Sequence, residues 1–148
     1  MTIDELQLQA DVKEAAKTLK EKHPNLVFTS GRRSIHQQAH AMAANIVTFH
    51  DRQWIGKTYL AGAKLQHWVN THPDAVTVDQ ITAGLEATMN AMSQAELFKV
   101  SKHLTGRAFD IRPVTTNAHA IIADIQALPG LVKFLKEEGG HVRWHAQF

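Results

Sequence analysis

The sequence predicts an α+β fold in which a small antiparallel sheet packs with several helices. Three observations carry this expectation. Apolar residues recur at helical spacing through most of the chain, two short apolar runs stand between turn residues, and the C-terminal residues alternate strictly between polar and apolar. With 148 residues, 44% of them hydrophobic, the chain suits a single domain, residues 1–148, whose helices and strands share one core.

Thr2 and Glu5 have capping-box spacing, and Leu8, Val12, Ala15, Ala16 and Leu19 form one stripe, so a first helix is expected until His23-Pro24 stops it. Leu26 to Thr29 lies between Pro24-Asn25 and Ser30-Gly31 and reads as a buried strand entering a turn. Ser34 then caps an Ala- and Gln-rich helix reaching about Val47. Two more helices are expected in the middle third, one around Ala61 to Val69, the other from Thr77, with Gln80 in capping-box spacing, to Met89. Ser93 with Glu96 repeats the signal for a short helix before Val100. Ala108 to Ile111 reads as a strand stopped by Pro113, and Asn117 opens a helix through Ile121, Ile122, Ile125 and Leu128 that ends at Pro129-Gly130. Leu131 to Glu138 is expected as a last helical turn or two ended by Gly139-Gly140. In the final strand His141, Arg143, His145 and Gln147 take a polar face, while Val142, Trp144, Ala146 and Phe148 take the core. No internal repeat, low-complexity tract or linker interrupts the chain.

Composition narrows the chemistry. Sixteen Lys and Arg against fourteen Asp and Glu leave a net charge of only +2, too balanced to announce a nucleic-acid binder by bulk electrostatics. None is expected, although a mildly basic surface would still suit an anionic polymer. The chain has no cysteine, which removes disulfides, Cys-rich zinc ribbons, thiol nucleophiles and iron–sulfur clusters. Its ten histidines and its carboxylates are then the candidates for binding a transition metal. Asp4, Glu5 and Asp11 break up the first residues, so no signal peptide is expected. Nor does any apolar run reach membrane-spanning length. The expectation is synthesis in the cytoplasm and no membrane insertion.

The segment Ser101-Lys102-His103-Leu104-Thr105-Gly106-Arg107-Ala108-Phe109-Asp110 is the richest in chemistry. Gly106 permits a bend that brings a side chain before it back toward one after it, and Ala108 and Asp110 share a strand face. An imidazole and a carboxylate are thereby set together over a small residue, as a metal site with an open position requires. The competing reading is a surface His and a turn-capping Asp. His36 and His40 lie four apart on one helical face, but Gln37 stands where the helical zinc-protease motif has its Glu, and two exposed histidines are expected instead. His23, His50, His67, His72 and His119 are assigned to turns and helix ends, and Trp54, Tyr59 and Trp68 to the core, with one of the three aromatics lining a groove as the alternative.

Ser-x-His-x-x-Gly-x-Ala-x-Asp over Ser101 to Asp110, followed by Trp144-His145, resembles the signature of the zinc D-alanyl-D-alanine carboxypeptidase and L-alanyl-D-glutamate endopeptidase family, which includes cell-wall carboxypeptidases and phage endolysins. Ser30-Gly31-Arg32-Arg33-Ser34, with Gln38 behind it, is similar to the family's Ser-Gly-x-Arg-Ser segment. The resemblance implies zinc held by His103, Asp110 and His145, a small sheet carrying that site, and Arg33 binding a substrate carboxylate, with Gln38 and Ser101 as further substrate-binding candidates. It implies a peptidase of peptidoglycan stem peptides, a phage or prophage endolysin, reaching the wall through a holin or as a virion component; a monomer is expected.

One position departs from the pattern. The family places an acid three residues before the last His, and here that residue is Val142, which the alternation turns toward the core. Glu138, just before Gly139-Gly140, is the candidate base, with Glu137 beside it; a pair of solvated glutamates at a helix end is the alternative. His141 shares the face of His145 and is a candidate to bind substrate or carry a proton. Arg143 is a candidate oxyanion stabiliser or else an outward salt-bridge partner. Loss of the usual acid also leaves open a catalytically inactive zinc-bound module for cell-wall binding or a phage tail. An enzyme acting on a small dipeptide or another amide is a further alternative.

Overall fold

A computed structural model describes all residues, Met1–Phe148. In chain order its elements are α1 (Ala10–Lys22), β1 (Phe28–Ser30), α2 (Ile35–Thr48), α3 (Trp54–Thr58), α4 (Ala63–Thr71), α5 (Val78–Asn90), α6 (Gln94–Val100), a 3-10 turn (Lys102–Thr105), β2 (Ala108–Ile111), α7 (Ala118–Gln126), β3 (Lys133–Glu138) and β4 (His141–Gln147). Seven α-helices and a four-stranded antiparallel sheet of order β1-β2-β4-β3 make the fold α+β. No helix is long and apolar enough to cross a membrane.

Capping chemistry fixes three helix starts. Ser34, Thr77 and Ser93 each accept a bond from the backbone N–H three residues on, and Gln37, Gln80 and Glu96 reach back to the cap's own N–H. Thr2 and Glu5 make the same reciprocal bonds, yet no helix follows directly. Gln7 turns to a φ of 50°, and α1 opens only at Ala10, behind a Gln9 that caps with no side-chain bond. Leu8 therefore lies before the helix it was expected to begin.

The chain divides into two compact units, Met1–Arg32 with Thr105–Phe148, and Arg33–Leu104, the second of the two boundaries falling inside the 3-10 turn. The apolar side chains accordingly form two clusters, not the single core expected from the sequence. In the first unit Val12, Ala16 and Leu19 of α1 and Ile121 and Ile125 of α7 join Phe28, Phe109, Trp144 and Phe148. Phe109 stands at its centre, edge-on to Phe28 at 5.3 Å and tilted against Phe148 at 5.5 Å. In the second unit Met42 and Ile46 of α2 pack with Ile55, Leu65, Ile81, Leu85 and Met89.

The segment expected as a last helical turn is a strand. β3 pairs with β4 through a hairpin whose loop is Gly139-Gly140, with Glu138 opposite His141. Both glycines have positive φ, 59° and 85°, as the favoured two-residue hairpin turn requires. Lys133-Phe134-Leu135-Lys136-Glu137-Glu138 is rich in helix formers. It is also the outer strand of the sheet, where exposed Lys133, Lys136 and Glu137 keep the edge from pairing further. The register slips between Leu135 and Glu137, so the alternation of β4 does not run undisturbed to the hairpin tip. Val142, assigned to the core, is 68% exposed there.

Candidate metal centre

β2 is an inner strand with every residue buried, and it begins with a bend. Gly106 has a φ of 72°, and its carbonyl accepts from Gln9 N at 3.0 Å, which ties the bend to the entrance of α1. The bend aims β2 alongside β4, setting Asp110 directly across from His145. Facing pairs on neighbouring strands have their side chains within reach of each other. His145 Nδ1 donates to Asp110 Oδ1 at 2.8 Å, and both side chains are buried. The other Asp110 oxygen, Oδ2, lies 3.6 Å from Arg143 Nη1. Arg143, a candidate for an oxyanion or an outward partner, thus faces a buried carboxylate.

The hairpin supplies a second acid. Glu138 ends β3, and its Oε2 lies 3.1 Å from the same Nδ1 of His145. Glu137, its neighbour, is exposed, and His141 lies opposite Glu138 across the two strands, half-buried. Of the two glutamates weighed from the sequence, it is Glu138 that stands beside His145.

His103 is buried in the 3-10 turn that leads into the Gly106 bend. Ser101 Oγ accepts from His103 N at 3.3 Å, so Ser101 shapes the turn that holds the histidine. His103, Asp110, Glu138 and His145 each offer one ligand atom, and these atoms all lie within 4.8 Å of one another. Two imidazoles and two carboxylates, all at least half-buried, form a donor set close enough to bind a metal ion. Donors about 2.0–2.1 Å from a tetrahedral zinc stand about 3.3 Å apart. The His145–Asp110 and His145–Glu138 separations, 2.8 and 3.1 Å, fall just inside that spacing.

The electrostatics agree. Burial by itself pulls His145 toward its neutral form, but the hydrogen bond to Asp110 and the charges of Glu138 and Asp110 outweigh it and hold the pKa above the usual histidine value. A positive charge is wanted between these carboxylates, and a proton or a metal ion meets the demand. Gln147, two residues on along the same face of β4, places Oε1 3.4 Å from His145 Nε2, the ring atom away from the carboxylates. Such a contact fixes the ring and leaves Nδ1 for the cluster. The sequence reading passed over Gln147, although its signal, the shared face at i+2, was already present.

Within the second unit, Arg33 N donates to His103 O at 3.0 Å, and Arg33 Nη1 donates to Gln38 Oε1 at 3.3 Å. Gln38 has no exposed surface; its amide nitrogen donates to Tyr59 Oη at 3.1 Å. His36 and His40 are exposed on α2, and His36 Nδ1 pairs with Glu86 Oε2 at 2.8 Å. Neither belongs to the four-residue cluster. His23 and His72 end helices as expected, His23 bonded to Asp124 and His72 stacked on Trp68, whereas His67 lies inside α4. No protein-family model, curated protein or solved structure matches the chain.

Proposed function

We propose that this protein is a zinc-dependent peptidase of peptidoglycan stem peptides. The observation that supports it most is the cluster of His103, Asp110, Glu138 and His145. Three of these are the residues that the sequence resemblance marks as zinc ligands, and the fourth is an acid where Val142 offers none. His103, Asp110 and His145 would hold the metal. Zinc bound there would supply a water activated near neutral pH and a Lewis acid for a scissile carbonyl.

Glu138 is the base in this reading. Its carboxylate takes the proton of the attacking water and passes it to the leaving amine, a role that needs a carboxylate next to the ligands but not locked in the core. Glu138 is half-buried at a strand end, which suits it. Arg33 holds a carboxylate of the substrate through its planar fork, supported by Gln38. Arg143 steadies Asp110, and His141, opposite Glu138, is the next group in line for the proton. The enzyme reaches the wall after holin-assisted release or on a virion.

Incubation of the zinc-loaded protein with purified peptidoglycan, followed by mass analysis of the fragments, tests this. New termini at one stem-peptide bond are expected. Bound zinc with intact stem peptides would refute the stem-peptide peptidase reading.

A further inference from the structure

We propose that Tyr59 is a positioning residue for the carboxylate clamp: by accepting a hydrogen bond from the buried Gln38 carboxamide, it fixes the amide oxygen toward Arg33. The inference rests on the reading of Arg33 as the group that holds a substrate carboxylate. All three residues belong to one compact unit.

A carboxamide has two different ends. Its oxygen only accepts and its nitrogen only donates, and a guanidinium only donates. Gln38 therefore serves Arg33 only when Oε1 faces Nη1, as it does at 3.3 Å. The opposite rotamer would set donor against donor. In the working orientation the amide nitrogen points into the protein, where Gln38 has no surface exposed to bulk solvent. Tyr59 Oη, 3.1 Å away, accepts from it. A buried donor left without an acceptor is costly, so in the orientation that the donor-only guanidinium demands the hydroxyl removes that cost.

Tyr59 is itself held rigidly. It caps the short helix α3, with its N–H donating to Ile55 O at 2.9 Å, and its ring meets buried Trp54 edge-on at 5.7 Å. Its carbonyl accepts from Gly62 N at 3.2 Å. The relay thus runs from a fixed aromatic, through an amide held in one orientation, to the Arg33 guanidinium. Preorganising a clamp in this way lowers the ordering cost when a ligand binds.

The probes are N-acetyl-D-alanine and N-acetyl-D-alaninamide, which differ only in the carboxylate, titrated by NMR into the zinc-loaded protein. The parent should prefer the acid, and Arg33→Met should abolish the preference. Tyr59→Phe, which keeps the ring against Trp54, should lower it roughly three- to tenfold with zinc content and helix content unchanged. In a Gln38→Met background, Tyr59→Phe should have no further effect, because the two residues act in series. If Arg33→Met removes the preference while Tyr59→Phe keeps it in full, or if the Tyr59 effect persists beside Gln38→Met, the relay is wrong and the Arg33 clamp stands. If the parent shows no preference, or Arg33→Met leaves it intact, the clamp reading fails and the relay with it.

Discussion

Loading with zinc should raise the melting temperature, and the structure says where and under what conditions. Asp110 and His145 sit opposite each other on two strands of one sheet, so a metal ion holding them ties β2 and β4 together at a single point. A ligand that binds only the folded state at about one hundred times its dissociation constant stabilises by about 2.7 kcal/mol. For a chain of this size each kcal/mol is worth roughly 2–4 °C, so a rise of roughly 5–11 °C is expected by calorimetry. The gain should depend on pH in one direction. In the metal-free protein His145 has a raised pKa, so its imidazolium contributes stability in full below the unfolded value, and this is lost as pH rises through the folded value. Zinc must displace that proton, so its stabilisation should be small near pH 5.5 and full near about pH 8, with protons released on binding. Asp110→Asn, which keeps the shape and removes the charge, should abolish most of the gain. An unchanged melting temperature with zinc at the higher pH, or an equal gain in Asp110→Asn, would refute the reasoning.

Three further expectations are open to direct test. Glu138→Gln should keep zinc and fold but lose about 10²–10⁴-fold in turnover on peptidoglycan, with Glu137→Gln nearly silent; the reverse pattern would transfer the role, and parent rates in both would exclude both. His103→Ala and His145→Ala should weaken zinc binding in a competition titration far more than His36→Ala or His40→Ala, and equal losses would mean that the wrong histidines have been chosen. Arg52 donates to the carbonyls of Val69, His72 and Ala75 at 2.8–2.9 Å, satisfying the end of α4, so Arg52→Met should cost about 2–4 kcal/mol in urea unfolding. A loss below about 1 kcal/mol would show that water replaces those bonds without penalty.

Local chemistry was legible where a few adjacent residues decide the outcome. The boxes at Ser34, Thr77 and Ser93 set helix starts because each satisfies two backbone donors within one turn. The Thr2–Glu5 box formed as well, but the chain left the helical region at Gln7, where Arg32 N donates to Leu6 O at 2.8 Å and Gln9 N to Gly106 O, long-range bonds that no local pattern contains. The five residues of α3 were missed because Trp54 to Thr58 span little more than one turn, too short for a periodic stripe. β3 was misread because an edge strand can be as polar as a helix, and a glycine pair ends either one. At the site, the bend at Gly106 was enough to bring His103 and Asp110 to attention, while His145, on the polar face of the alternating strand, was marked as a ligand by the resemblance. Glu138 was picked for the freedom of the glycines after it, whereas pairing with β4 is what brings it near His145. Two cores in place of one were invisible, since the apolar stripes of each look alike until they choose partners.

The Gly139-Gly140 loop gives the candidate base an unusual dependence. An acid three residues before a histidine on the same strand is fixed by covalent spacing, and nothing in the neighbouring strand can shift it. Glu138 reaches His145 only because a two-residue turn sets one strand against the other in a single register. Slipping a hairpin by one residue sends every side chain of the moved strand to the opposite face. A single residue inserted into this loop that shifted the register would leave His103, Asp110 and His145 in place and still carry the carboxylate out of the cluster. Loop length, commonly the most tolerant property of a protein surface, is here a stringent determinant of the chemistry.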